Sequence, residues 1–216
     1  MKILFDDLIQ RSDAPMPLKS ASLADKLEDD SLVIVLDSSY EIDCFGVGNT
    51  DATEVTINGQ TITLGTNDEK NGLYLLDTSL NTDTINLSHD GTFIGRFALG
   101  KSRSLGASPS REPGFYSTSS PRITASGQVI PGGGGISGRK ISVDFRYKID
   151  QEIFEDIDNA YLGQISKGLP FFILFDKENH RFPWLRLYAS ADNEQTFQSS
   201  VNRFLYSRRF DFIERF

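Results

Sequence analysis

The sequence predicts a mainly β protein with two antiparallel β-sandwich domains, the second of which carries one α-helix. Three observations support this prediction. Short apolar segments recur between turn residues in the first half, a Ser-, Pro- and Gly-rich segment (residues 101–121) divides the chain, and alternating strands in the second half flank one amphipathic stretch. A chain of 216 residues is long enough for two cores. We therefore place the domains at residues 1–104 and 105–216.

The first strands are predicted from apolar runs. SLVIVLD (31–37) is continuously apolar, which favours a strand buried on both faces, and a turn at residues 38–40 separates it from EIDCFGVG (41–48). Before these strands, SASLADKLEDD (20–30) is compatible with a short helix or a turn.

A β-hairpin is predicted at TEVTINGQTITL (53–64). Asn58 and Gly59 are the favoured pair for a type I′ turn, because both tolerate positive φ. Counting outward from this turn pairs Val55 with Ile62. Further strands are expected at GLYLLD (72–77) and at residues 83–100, the latter interrupted at Asp90-Gly91.

The segment KSRSLGASPSREPGFYSTSSP (101–121) is nearly free of aliphatic residues. This composition predicts a solvated linker. Phe115 and Tyr116 in its middle suggest the alternative, an ordered arm that docks through these two aromatic residues.

A glycine run follows in QVIPGGGGISGRK (128–140), where Gly133 and Gly138 are spaced as in a phosphate-binding loop. Arg139 and Lys140 replace the Lys and Ser/Thr of that motif, and a strand is predicted to follow in place of the required helix. RKISVDFRYK (139–148) alternates with period 2. We therefore interpret the run as the tip of a β-hairpin between 122–130 and 139–148, with Gly132, Gly133, Gly134, Gly135 and Arg139 as candidate assembly residues.

The remaining elements are one helix and three strands. Asp150 is a suitable N-cap for a helix whose apolar residues, from Ile153 to Ile165, fall on one stripe. Strands are predicted at 170–176 and 180–190, followed by one long last strand at 199–216.

Composition and charge exclude several classes of protein. Residues 1–100 carry 6 basic and 17 acidic groups, which disfavours nucleic-acid binding. No run approaches the roughly 18 apolar residues of a membrane span. The N-terminal segment is too short and too acidic for a signal peptide, so we expect folding in the cytoplasm. The single cysteine, Cys44, excludes an internal disulfide.

Candidate chemical sites are weak. Ser88-His89-Asp90 are neighbours on a strand and point to opposite faces, so they cannot form a relay. The loop 46–54 has oxygen ligands for calcium but lacks the spacing of a calcium-binding loop. We therefore predict no enzyme activity, no cofactor and no metal. Tyr40 and Tyr74 border predicted turns and are candidates for stacking on a glycan, as is Phe93.

The second half, from PGFYSTSSPRITASGQVIPGGGGISGRKISVDFRYKI through PFFILFD to FLYSRRFDF, resembles tail-tip and baseplate proteins of long-tailed bacteriophages, in particular the distal-tail type. VLDSSYEIDCFGVGNTDATEVTING in the first half looks like a discoidin or galactose-binding β-sandwich. The resemblance implies a non-enzymatic subunit of the virion that forms a ring, commonly of six copies, and contacts the tail tube and other baseplate proteins. In many distal-tail proteins the ring-forming domain comes first, whereas here it comes second.

A second function remains open at this point. The first half is alternatively a carbohydrate-binding module that contacts host surface glycans, and Tyr40 and Tyr74 are then the residues to test first.

Overall fold

A computed structural model of the chain describes residues 2–4, 6–20, 25–65, 71–104, 110–117, 122–123, 129–130, 137–148, 171–174, 186–191, 197–199 and 206–214. These residues are mainly β, and the strand pairings given below are all antiparallel. In chain order the elements are β1 Lys2–Leu4, a 3₁₀ turn at Leu8–Arg11, α1 Met16–Lys19, β2 Ser31–Thr50, β3 Glu54–Ile57, β4 Gln60–Thr63, β5 Gly72–His89, β6 Ile94–Gly100, β7 Arg103–Ser104, β8 Ser110–Ser117, β9 Arg122–Ile123, β10 Val129–Ile130, β11 Ser137–Lys148, β12 Phe171–Leu174, β13 Arg186–Ala191, β14 Phe197–Ser199 and β15 Tyr206–Glu214.

The chain divides into two compact units. The first comprises residues 1–107, 150–190 and 216, and the second comprises residues 108–149 and 191–215. Strand β12, which the sequence assigns to the second domain, pairs with β1 of the first unit. The first unit therefore takes strands from both ends of the sequence.

The first unit contains a five-stranded sheet in the order β4-β3-β5-β2-β6. The predicted hairpin is confirmed: Val55 lies opposite Ile62, and Asn58 and Gly59 adopt φ of 47° and 82°. Positive φ at both turn positions gives the backbone twist that matches the flanking strands. The predicted break at Asp90-Gly91 is also confirmed, because β5 ends at His89 and β6 begins at Ile94.

Strands β2 and β5 are long, and their pairing shifts register twice. The predicted turn at residues 38–40 is wrong, because β2 is one strand across this segment. From Val35 to Tyr40, β2 uses five residues where its partner β5 uses two, so the extra residues lie on β2. From Ile42 to Cys44 the reverse holds, and the extra residues lie on β5. Extra residues of this kind bend a strand and increase its twist without ending it. The predicted strand at 72–77 is likewise the first part of the 18-residue strand β5.

Burial along β2 differs from the sequence expectation. The segment 31–37 is not buried on both faces, because Val33 and Val35 are exposed while Ile34 and Leu36 are buried. The segment 44–48 is buried throughout. The reason is that both faces are covered only along the later part of β2.

Two apolar clusters cover these two faces. On one face, residues of β2, β5 and β6 pack with the 3₁₀ turn and α1 in a large core that includes Leu8, Leu18, Phe45, Phe97 and Tyr74. On the other face, Cys44, Leu73 and Ala98 pack with Leu4, Phe172 and Leu174 from β1 and β12. Gly46 lies directly under the Phe172 ring, where a Cβ atom would overlap it. This close approach requires glycine.

The N-terminal segment is held on the sheet by a buried ion pair. Asp7 caps the 3₁₀ turn by accepting from the Ile9 N–H at 3.0 Å, and it also accepts from the Leu99 N–H. The Arg96 guanidinium donates to Asp7 and, at 2.6 Å, to the Leu18 carbonyl. Because Asp7 lies before the turn and Leu18 in α1, one arginine fixes both elements.

The second unit contains the ladder β8-β11-β15, with β14 paired to the first three residues of β15. The strand predicted after the glycine run is confirmed as β11. Its predicted hairpin partner is wrong: β9 and β10 pair with each other, whereas β11 pairs with β8 and β15. The predicted last strand, 199–216, is confirmed over residues 206–214 as β15, whereas its first residue, Ser199, lies in β14, which pairs antiparallel with β15. The predicted helix beginning at Asp150 lies outside the described residues.

Candidate assembly edge and surface sites

Strand β8 is the terminal strand of its ladder in the part of the chain that the structure describes. It pairs along its whole length with β11, from Ser110 opposite Asp144 to Ser117 opposite Ser137. The linker predicted at 101–121 is therefore wrong for residues 110–117, which form a strand. A terminal strand keeps one row of backbone N–H and C=O groups outside its own ladder, and such a row is a template for another strand.

The structure brings two candidate sites together. Phe115 of the predicted docking arm lies directly opposite Arg139 of the predicted assembly hairpin, and Tyr116 lies opposite Gly138. Gly132, Gly133, Gly134 and Gly135 lie outside the described residues. The arm thus docks on β11 of the same chain, and Phe115 and Tyr116 lie on β8, the terminal strand of the described ladder.

The tyrosines proposed for glycan contact differ in exposure. Tyr74 is 2% exposed, stacks on Phe45 at 5.3 Å between ring centroids, and accepts a hydrogen bond from the Gly65 N–H. The expectation that its ring is exposed beside a turn is therefore wrong. Tyr40 is half-buried against the core, and its hydroxyl donates to Asp37 at 2.9 Å. A hydrogen bond with Tyr40, together with the charge of Asp6, raises the pKa of Arg11.

Phe93, the third aromatic residue considered for sugar stacking, is half-buried. The ammonium group of Lys26 lies 3.8 Å from the centroid of its ring. A cation at this distance is attracted by the ring face. That face is therefore occupied within the chain.

The two loops that face each other at residues 51–53 and 90–93 are tied by two carboxylates. Asp51 accepts from the N–H of Thr92 at 2.9 Å and from its hydroxyl at 2.6 Å. Asp90 accepts from the N–H groups of Thr53 and Glu54, at 2.7 and 2.8 Å, and from the Thr53 hydroxyl. Each loop thus supplies the acceptor for the backbone donors of the other.

These hydrogen bonds stabilise the ionised carboxylates. The side-chain hydrogen bond from Thr53 and the amide of Glu54 lower the pKa of Asp90 to about 2. Burial opposes ionisation of Asp51, but the hydrogen bonds from Thr92 and Phe93 outweigh it and lower its pKa. Asp51, one of the oxygen ligands considered for calcium in this loop, therefore serves as a loop connector.

The remaining reactive groups do not converge. His89 places Nε2 3.0 Å from the Asp29 carbonyl oxygen, while Asp90 is bound to Thr53. The Cys44 thiol is buried, and burial, followed by the charge of Asp43, raises its pKa well above the usual value. Among the described residues no three His, Cys, Asp or Glu side chains form a metal-binding group. No described helix has the length and apolar character needed to cross a membrane.

One surface feature was missed by the sequence analysis. An open groove of about 330 Å³ runs over β2, β5 and β3, and the described residues that line it are uncharged although residues 1–100 are strongly acidic. Val33 and Asn86 lie opposite each other in it, as do Ser31 and Ser88. Alternation along 31–37 would have indicated this face, but the continuous apolar run concealed it. Comparison of the chain with protein-family models, curated proteins and solved structures finds no significant match.

Proposed function

We propose that this chain is a non-enzymatic structural subunit of the tail tip or baseplate of a long-tailed bacteriophage. Copies of the chain form a ring, six in the arrangement that the resemblance implies, at the end of the tail tube beside other baseplate proteins. Its two parts act as two β-sandwich domains, of which the second forms the ring. The subunit folds in the host cytoplasm and becomes part of the virion.

The observation that carries the proposal is the terminal strand β8. A ring requires a contact that is repeated head-to-tail around an axis. Strand β8 directs the backbone groups of every second residue of Ser110–Ser117 away from β11. Pairing of this edge with a neighbouring copy requires no pocket, metal or catalytic group.

Two proline variants test this contact. Successive N–H groups along a strand point to opposite edges, so one of Phe115 and Tyr116 donates toward β11 and the other outward. Proline removes the N–H group at its own position. Of Phe115→Pro and Tyr116→Pro, we expect one to destabilise the fold and the other to keep the wild-type melting transition while abolishing oligomers.

Light scattering after size-exclusion chromatography measures the oligomers, and circular dichroism measures the melting transition. The proposal is contradicted if the wild-type protein is a monomer at every concentration, or if the variant that melts as wild type forms the same oligomer.

The uncharged groove favours a second candidate function, binding of a neutral host glycan. The exposed side chain of Val33 provides an apolar floor, and Ser31, Asn86 and Ser88 supply hydroxyl and amide groups beside it. Neutral sugars need this combination of apolar contact and hydrogen bonding. A glycan array with wild type and Val33→Lys tests it: sugar binding lost in the variant supports the glycan function, and an array without binding removes it.

A further inference from the structure

The outer edge of β5 raises a question about strand pairing. On this side β3 pairs only with residues 87–89, although β5 extends back to Gly72. In the part of the chain that the structure describes, no strand pairs with residues 78–86 on this side, and such an edge is normally open to another strand. The hydrogen bonds along this edge show how the chain closes it.

Asn58 closes the part of the edge next to β3. Its side-chain oxygen accepts from the Asn86 N–H at 2.6 Å, and its amide nitrogen donates to the Thr84 carbonyl at 3.1 Å. The Asn58 main-chain N–H also donates to the Asn86 carbonyl at 2.9 Å. The side-chain amide therefore makes the two bonds that the next peptide group of a neighbouring strand would make.

Gln60 closes a second point in the same way. Its amide nitrogen donates to the Thr78 carbonyl at 2.8 Å, and its oxygen accepts from the Thr78 N–H at 2.9 Å. Thr78 lies in the bulge of β5 between Leu75 and Leu80, where the pairing with β2 is interrupted. One glutamine thus satisfies both backbone groups of a residue that the bulge leaves outside the ladder.

Thr82 closes a third point. Its hydroxyl accepts from the Thr84 N–H and donates to the Thr84 carbonyl, both at 3.1 Å. Three side chains therefore satisfy five backbone groups of an exposed edge: the N–H of Asn86 and the N–H and C=O groups of Thr84 and Thr78.

We propose that the β5 edge is a latent strand-pairing site that Asn58, Gln60 and Thr82 keep closed, and that a second copy of this chain pairs there when the amides are removed. We expect the occupant to be a second copy, because an exposed edge offers its backbone groups to any strand, and in the purified protein every other strand belongs to another copy of this chain. The closure leaves strand pairing between copies to other edges.

The test removes the closing amides and preserves the turn. Asn58→Gly keeps a residue that adopts positive φ, and Gln60→Thr keeps a strand-forming residue. The control is Asn86→Ser, which removes an exposed side-chain amide from the same strand without removing a closing bond.

The association state is measured by sedimentation velocity over a concentration series, and each variant is compared with wild type. We expect the double variant Asn58→Gly/Gln60→Thr to form species larger than those of wild type that grow with concentration, and Asn86→Ser to match wild type. In dilute solution the Thr78 amide should exchange with solvent roughly fivefold faster in the double variant, as expected for one lost hydrogen bond.

Association of the double variant equal to that of wild type overturns the inference, even if exchange becomes faster. If the double variant lacks a cooperative melt, Asn58→Gly and Asn58→Asp decide by the same readout, because aspartate keeps the acceptor for the Asn86 N–H and loses the donor to Thr84. Excess association in Asn58→Gly and a smaller excess in Asn58→Asp support the inference; wild-type behaviour in both overturns it. The association state of the wild-type protein tests the proposed ring, whereas the difference between variant and wild type tests the closed edge. Either proposal can therefore fail without the other.

Discussion

The buried ion pair between Asp7 and Arg96 should control the stability of the first unit. The two side chains are 12% and 8% exposed. Asp7→Asn keeps the shape of the side chain but removes its charge. The buried Arg96 guanidinium then loses its negatively charged partner and keeps its hydrogen bond to the Leu18 carbonyl at 2.6 Å.

Removing one partner of a buried pair costs about 3–5 kcal/mol, because the remaining charge stays out of water without compensation. For a cooperative unit of this size, each kcal/mol corresponds to about 2–4 °C in Tm, so Asp7→Asn should lower Tm by about 6–20 °C. The measurement is thermal and urea unfolding followed by circular dichroism.

The neighbouring residue provides a matched control. Asp6 is paired with Arg11 at 2.9 Å, but the two side chains are 63% and 49% exposed. Asp6→Asn should therefore cost less than about 1 kcal/mol. Replacing both buried partners, as Asp7→Asn with Arg96→Met, should cost less than Asp7→Asn alone, since no charge is left unpaired and asparagine keeps an acceptor for the Ile9 and Leu99 N–H groups. A loss for Asp7→Asn no larger than that for Asp6→Asn would refute the reasoning.

Three further predictions concern a loop, a close contact and a thiol. The folded-state pKa of Asp90 lies below its unfolded value, so the stability that its ionised carboxylate contributes is present above about pH 4 and is lost as the pH falls toward 2. After allowance for the exposure of Asp90, this contribution amounts to about 1 kcal/mol. On acid titration, Asp90→Ala should therefore lose less stability than wild type by about this amount. Gly46→Ala should destabilise the protein by about 1–3 kcal/mol through overlap with Phe172, and Phe172→Leu should recover part of this in urea unfolding; additive losses would contradict the contact. Cys44 should react with a thiol reagent only as fast as the protein unfolds, because it is buried and its pKa is raised; rapid labelling of the native protein would contradict this burial.

Features encoded by neighbouring residues were predictable from the sequence. The hairpin at Asn58-Gly59 could be predicted because its turn needs only two residues that tolerate positive φ. Counting outward from this turn then sets the register of the two strands. Strand β11 could also be predicted, because the alternation of apolar and polar residues with period 2 is a local signal.

Features that depend on distant residues were not predictable. Whether a face of β2 is covered depends on Phe172, more than a hundred residues away, so the apolar runs 31–37 and 41–48 could not be ranked by burial. The pairing of 110–117 with β11 depends on backbone groups and not on aliphatic side chains, so composition suggested a linker. The bulges of β2 and β5 compensate for each other across strands and leave no local signal.

We propose that copies of this chain assemble into a ring through the outer edge of β8, the terminal strand among the described residues. Electron microscopy of the purified full chain, with copy number checked by native mass spectrometry, tests it most directly. The prediction is closed rings of uniform copy number that disappear in the proline variant that keeps the wild-type melt. Particles of monomer size at all concentrations, or rings unaffected by that variant, would contradict it.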